Sequence, residues 1–338
     1  NGEEGWVQEA TEEGMVMSFA FLDIRGRGDE GAVIAQRADE IHRSFDLKSG
    51  PLAKAALFRG EDGDRLLIVV HHLLIDGISW RILIENFQIA YEDILAGRPI
   101  ALPATGDSLK RWGLALEQYA ASATLLKEKD YWRQMQTADV TPVPLEVTSP
   151  LNRHCDLQTQ TRKLSEAETS LLLGGVNHAY GTSSEEILLV SLARALRSWK
   201  GIDTCAVILE GHGREDVLGG LAVERTIGWF TSMYPVILDL PAGFDTGLQV
   251  KTIKEILRRV PVKGFGYGVL KYMTPDALKD DMDFCDNANV RFNYLGQFGT
   301  GAQTSFFQIS TDDTGEAVNP EAERLVDIDV SAMVLEDE

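Results

Sequence analysis

The segment His71-His72-Leu73-Leu74-Ile75-Asp76-Gly77-Ile78-Ser79-Trp80 sets two imidazoles just ahead of a carboxylate. An apolar run, Arg65 to His71, reads as a strand. From Gly77 the spacing turns helical, with Trp80, Leu83, Phe87, Tyr91 and Ile94 on one face. Loops at strand-to-helix junctions commonly carry active groups. Successive strand residues face opposite sides, so His71 and His72 can serve one site only if the strand has ended, and a metal pair is disfavoured. A single imidazole titrates near neutral pH and suits proton transfer. The alternative is a packing histidine followed by an Asp-Gly turn.

A second candidate, Glu210-Gly211-His212-Gly213-Arg214-Glu215, follows the apolar run Thr204 to Leu209. Two glycines leave the backbone around His212 open to close approach. A carboxylate at the mouth of a sheet can exchange protons when burial raises its pKa, and the alternative is a solvated charged loop. Three aromatic segments complete the set: Arg225 to Pro235, Pro261 to Gly268, and Phe292-Asn293-Tyr294-Leu295-Gly296-Gln297-Phe298. Taken singly, such aromatics are ordinary core. The glycines at 264, 266 and 268 miss GxGxxG, and GxxxxGK[ST] is absent, so nucleotide binding loses support.

The elements that position these groups follow from periodicity. Met15 to Asp23 alternates as a strand, and Asp107 through Tyr131-Trp132 is amphipathic. The stretch from Thr141 to Pro150 breaks all periodicity and places a lobe boundary there, giving lobes 1–150 and 151–338. Beyond it Asp156 to Leu164 reads as a strand and Ser165 to His178 as a helix. Thr182-Ser183-Ser184-Glu185-Glu186 is a capping-box signature for a helix through Trp199, with Leu188, Leu192, Leu196 and Trp199 as its buried stripe. Further strands are predicted near Asn289 to Leu295, Ser305 to Ser310 and Leu325 to Val334. The fold class is α/β in two lobes.

Composition narrows the function. The 338 residues are 44% hydrophobic, enough for about two domains with sizeable cores. A net charge of -20 repels phosphate backbones and anionic membranes, so no nucleic-acid or membrane partner is expected. Cys155, Cys205 and Cys285 are widely spaced, odd in number and form no CxxC, which suggests neither a disulfide framework nor a structural zinc site and fits a reducing cytoplasm. The opening Asn1-Gly2-Glu3-Glu4 is neither a signal peptide nor an initiator methionine and reads as part of something longer.

In order and wording, HHxxxDGxSW, EGHGRE, RTxGWFTSxYP, PxKGxGYGxL and FNYLGQF resemble the motifs of epimerization domains of nonribosomal peptide synthetases. The first motif is shared with condensation domains, so discrimination rests on EGHGRE and the motifs after it. The resemblance implies two chloramphenicol acetyltransferase-like lobes in a V-shaped pseudo-dimer with the site in a tunnel between them, and an N-terminal lobe that is incomplete here. It implies inversion of the Cα of an L-aminoacyl or peptidyl thioester held on the 4'-phosphopantetheine of a carrier domain, with adenylation and condensation domains as neighbours. By the same resemblance His72 and Glu210 are the acid/base groups, with Tyr294 as a further catalytic candidate. Asp76 shapes the loop of His72, with Arg214 as its candidate partner, His71 supports stability, Asn293 is a candidate for hydrogen bonds near the substrate, and Trp229, Ser232 and Tyr234 line the thioester or pantetheine channel. The competing readings are a condensation domain, with His72 assisting amine attack, and a non-catalytic module that only docks carriers.

Proton transfer at a thioester requires neither metal nor nucleotide, and the pantetheine arrives on the carrier. We therefore expect activity to survive chelation. Loss on chelation with recovery on adding one metal, read by chiral analysis of the product, would overturn this expectation.

Overall fold

A computed structural model describes residue 8 and residues 17–140, 142–146, 151–243, 245–282, 284, 288–298 and 307–335. The packing of the chain divides it into two units, 1–75 with 308–319, and 76–307 with 320–338. The expected boundary at Pro150 lies outside the described residues. The division falls instead between Ile75 and Asp76, inside the first motif.

The first unit is built on β1 (Ser18–Asp23), α1 (Glu30–Arg43), β2 (Ala53–Gly60) and β3 (Gly63–Val70). β1 and β2 pair in parallel across the helical crossover, and β3 closes a hairpin with β2 in the register Gly60↔Gly63. Asp29 caps α1 by accepting from the Ala32 amide, which starts the helix after the short turn that follows β1. Ile34 and Ile41 then pack with Ile24, Ala56, Phe58 and Val69 into a small core. Residues 308–319 return to this unit. There the Glu316 amide donates to Asp39 Oδ1 at 2.7 Å, and His42 Nε2 lies 3.1 Å from the Thr314 carbonyl oxygen. Of the strand expected over Ser305 to Ser310, residues 305 and 306 lie outside the described residues and 307–310 are irregular.

The second unit begins with α2 (Gly77–Leu95), followed by α3 (Leu109–Ala120), α4 (Ala123–Leu126) and α5 (Lys129–Thr137). After an irregular stretch come α6 (Glu166–Ser170), a π turn over Leu171–Gly175, α7 (Val176–Tyr180) and α8 (Ser184–Lys200). β4 (Thr204–Gly211), β5 (Ser232–Asp239), α9 (Thr246–Arg259), α10 (Phe265–Tyr272), β6 (Val290–Phe298) and β7 (Ile328–Leu335) complete it. The sheet order is β5-β4-β6-β7, antiparallel only at β4/β5.

Its core joins Leu116, Tyr119, Leu125 and Trp132 of α3 to α5 with Val207 and Leu209 of β4 and Val236 and Leu238 of β5. That packing is why the helices expected in the first lobe belong to the second unit. Three local expectations also change. The capping box at Ser183 and Glu186 is present, but Trp199 is exposed with the Lys200 ammonium 4.2 Å from its ring centroid, and Leu189, Val190 and Ala193 join Leu196 as the buried stripe. Residues 157–164 are exposed coil, because no described strand pairs with them. Along α2 the buried residues are Ser79, Ile82 and Asp93, whereas Phe87 and Tyr91 are exposed and pack against Phe307, and Ile94 is 62% exposed. On the buried face Ser79 bonds to the Gly228 carbonyl, and Asp93 accepts from Arg98 and the Ala101 amide.

Gly264 sets how α10 enters. Its φ is +79°, following two residues of positive φ, Val262 and Lys263, and a Cβ there would sit 2.0 Å from the Tyr234 ring. Glycine alone satisfies both conditions.

Glu128, which precedes α5, is buried beneath this core. It accepts from Trp132 Nε1 at 3.0 Å and from the Tyr119 hydroxyl at 3.5 Å. Burial pushes its carboxyl above the usual range despite these two donors, and pushes the Tyr119 hydroxyl up to about 12. A carboxyl raised in the folded state holds a proton that the unfolded chain releases. Stability from this group is therefore full below the unfolded carboxyl range and falls as pH rises toward the raised value. We expect Glu128→Gln to match the parent in acid and exceed it at neutral pH in urea unfolding. Parallel pH profiles for the two proteins would contradict this account.

Candidate active site

β3 ends at Val70, so alternation no longer governs the two histidines. His71 caps the 3-10 turn His72–Leu74: its Nδ1 accepts from the Leu73 amide at 3.2 Å, which leaves the proton on Nε2. Its own amide donates to the Leu52 carbonyl at 2.8 Å, and its ring meets Phe45 edge-on at 6.1 Å. His71 is thus a structural histidine, and His72, the next residue, has an exposed side chain.

Asp76 opens α2. Its Oδ1 accepts from the Ser79 amide at 2.7 Å and its Oδ2 from the Phe230 amide at 3.2 Å. Arg214 Nη2 donates to both oxygens, at 3.0 and 3.1 Å, and to Ser79 Oγ at 2.9 Å. Nη1 of the same guanidinium donates to the carbonyls of Val223 and Thr226, and its plane lies 4.0 Å from the Phe230 ring centroid. The Ser79 hydroxyl donates to the Gly228 carbonyl at 2.9 Å. Only 3% of the Asp76 side chain and 4% of that of Arg214 are exposed. Burial holds Arg214 below the usual guanidinium range, and Asp76 opposes that effect. The turn that delivers Arg214 depends on Gly213, whose φ is +66° and whose Cβ would lie 1.6 Å from the Phe230 carbonyl oxygen.

Glu210 lies near the end of β4 with 17% of its side chain exposed. Asn293 Nδ2 donates to its Oε2 at 2.6 Å, and Arg291 Nη1 stands 3.3 Å from its Oε1. Arg291 in turn donates through Nε to Asp329 Oδ1 at 3.1 Å and through Nη2 to Oδ2. The bonds to Asp329 hold Arg291 above its usual range, against burial. One polar face therefore runs across β4, β6 and β7. Arg291 and Asp329 are absent from the sequence-derived set. The signal for them was the polar alternation of Val290-Arg291-Phe292-Asn293 and Ile328-Asp329-Val330-Ser331, but which polar residues meet depends on register.

The other predicted residues are placed elsewhere. In the register Glu210↔Met233 and Gly211↔Ser232, Ser232 and Tyr234 take the face opposite Glu210. Tyr234 is buried with Trp132 at 6.4 Å between ring centroids. Burial, with Glu185 and Glu215 nearby, drives its hydroxyl upward. Tyr294 alternates away from Asn293 and packs against the core. Trp229 is exposed on the loop before β5. His212 Nδ1 accepts from the Arg214 amide, and its Nε2 is 3.3 Å from Glu215 Oε1. Among the described residues no group of three His, Cys, Asp or Glu could hold a metal ion, and no helix is long and apolar enough to cross a membrane.

Residues 3–338 match the condensation-domain family model, and the chain belongs to that family. It is 40% identical over 317 residues to tyrocidine synthase 2 of Brevibacillus parabrevis, covering 94% of this chain and 9% of that protein. To gramicidin S synthase 1 of Brevibacillus brevis it is 40% identical over 310 residues, covering 91% of this chain and 28% of that one. Among solved structures, the epimerization domain from the third module of tyrocidine synthetase B superposes with a TM-score of 0.89 at 40% identity, over 95% of this chain and 72% of that one. The first condensation domain of the calcium-dependent antibiotic synthetase, at 22% identity and a TM-score of 0.59 over 83% of this chain and 61% of that one, shares the fold. The mixed α/β fold is that of chloramphenicol acetyltransferase type, as the sequence motifs imply.

Removing one member of a buried ion pair leaves the other uncompensated, at a cost of about 3–5 kcal/mol. We expect Arg214→Met to lose about that much in urea unfolding. Arg214→Lys should rescue little, because one ammonium cannot meet the planar set of acceptors. A loss below about 1 kcal/mol in Arg214→Met would show that the pair is not structurally required.

Proposed function

We propose that this chain inverts the Cα of an L-aminoacyl or peptidyl thioester presented on the 4'-phosphopantetheine of a carrier domain. The observation that supports it most directly is Glu210, held by Asn293 and Arg291 at the mouth of β4. Inversion needs a second acid/base group besides an imidazole, and this carboxylate can supply it. The 0.89 TM-score with an epimerization domain, against 0.59 with a condensation domain, favours the same reading.

A thioester acidifies the α hydrogen, and its removal leaves an enolate. The α C–H bond breaks, the proton passes to one side chain, and another group returns a proton to the opposite face. We assign His72 and Glu210 to these two roles. Asp76 and Arg214 keep the loop after His71 in shape, and Asn293 orients Glu210. Trp229 is proposed to line the pantetheine channel. Tyr294, Ser232 and Tyr234 rank below these because they face the helices. The chain itself needs no resident cofactor in this mechanism. Its partners are carrier, adenylation and condensation domains of a peptide synthetase in the cytoplasm. The family match keeps condensation as the second reading, with His72 assisting amine attack.

The test uses the full synthetase with an L-aminoacyl carrier in deuterated water, followed by chiral and mass analysis. We expect inversion with α-deuterium uptake, and a roughly 10²- to 10⁴-fold loss of inversion in His72→Ala. Glu210→Gln should lose inversion while one enantiomer still exchanges its α hydrogen. Peptide-bond formation without exchange would support condensation, and neither reaction would indicate a docking module. Parental inversion by Glu210→Gln would remove Glu210 from the mechanism.

A further inference from the structure

We infer that Arg291, oriented by Asp329, is a positioning residue that holds Glu210 as an aimed carboxylate, so that Glu210 starts the reaction as the proton acceptor. This rests on the proposed epimerization. The register places Arg291 opposite Asp329 on β6 and β7. The carboxylate of Asp329 grips the guanidinium through Nε and Nη2, which leaves Nη1 directed at Glu210 Oε1, 3.3 Å away. Asn293 holds the other oxygen at 2.6 Å. Both Glu210 oxygens are therefore fixed by donors, and donors stabilise the ionised form.

The charges around Glu210 support this assignment. Among the described residues, β6 brings Arg291 and uncharged Asn293 to this face and β7 brings Asp329 behind the guanidinium, while the β5 partner is Met233. His212, two residues on, is engaged with Glu215. Arg291 Nη1 and Asn293 Nδ2 each give Glu210 a donor, at 3.3 and 2.6 Å, and both favour the carboxylate. The α C–H electron pair then goes to the enolate and the proton goes to Glu210. His72 returns a proton to the other face, and solvent exchange restores both groups.

Arg291→Met and Arg291→Lys in the full synthetase test this, with an L-aminoacyl carrier in deuterated water as probe. Two readouts are needed: the pH profile of α-deuterium uptake, and the carboxyl ¹³C titration of Glu210, assigned by its loss in Glu210→Gln. Removing the cation weakens the ionised form, so the acidic limb and the titration midpoint should both move up by about one pH unit or more in Arg291→Met. Arg291→Lys should keep both near the parental position. An unchanged ¹³C midpoint in Arg291→Met would overturn the inference, even with the acid/base role of Glu210 upheld by the loss in Glu210→Gln. A shifted midpoint in a protein that shows no exchange would instead leave the Arg291 effect standing and refute epimerization.

Discussion

The buried pair of Asp76 and Arg214 is the interaction on which the second unit's organisation turns. A buried ion pair is by itself a poor source of stability, because desolvating two charges offsets their attraction. Here almost every polar atom is answered: Asp76 accepts from two backbone amides as well as from Arg214, and Arg214 reaches two carbonyls and the Ser79 hydroxyl. The pair therefore acts as a joint. It ties the first turn of α2 to the turn after β4 and to the loop 223–230, two neighbouring stretches that lie far from α2 in sequence.

Once that joint is made, the strand ends acquire defined directions. Gly213 lets the turn after β4 press against the Phe230 carbonyl, and Glu210 lies three residues before it. The period of two then sorts the side chains of the sheet. Leu209, Phe292 and Tyr234 go to the helix-covered core, and Glu210, Arg291, Asn293 and Asp329 go to the other face. The same strands thus build the apolar core and a charged relay. Membership of the condensation-domain family is carried by the whole chain, whereas the reading as an epimerase rests chiefly on this polar face.

The pair of histidines shows how adjacent identical residues divide tasks. Because β3 ends at Val70, His71 can turn its Nδ1 onto the following amide and become the cap, while His72 stays exposed in the turn. The cap is local chemistry, available to any residue with a short-range acceptor. Exposure of the next side chain follows from it.

The motif order, the capping box at Ser183 and Glu186, the helix after the first motif and the strand before Glu210 could be read from the sequence, because caps and periodicity are local. Arg214 was available from the sequence only as a candidate partner for Asp76, and the tertiary structure shows the pair buried. The buried face of α2 could not be read from the sequence: its apolar stripe of Phe87, Tyr91 and Ile94 outweighs Ser79 and Asp93 in any local count, yet Ser79, Ile82 and Asp93 are the residues covered. The unit boundary was hidden for a similar reason, since α3 to α5 declare only that they are amphipathic and not which sheet they cover. The placement of Ser232, Tyr234 and Tyr294 on the core face, and the approach of Arg291 and Asp329 to Glu210, are matters of strand register. Register is set by pairing between distant segments, and only the tertiary structure contains that information.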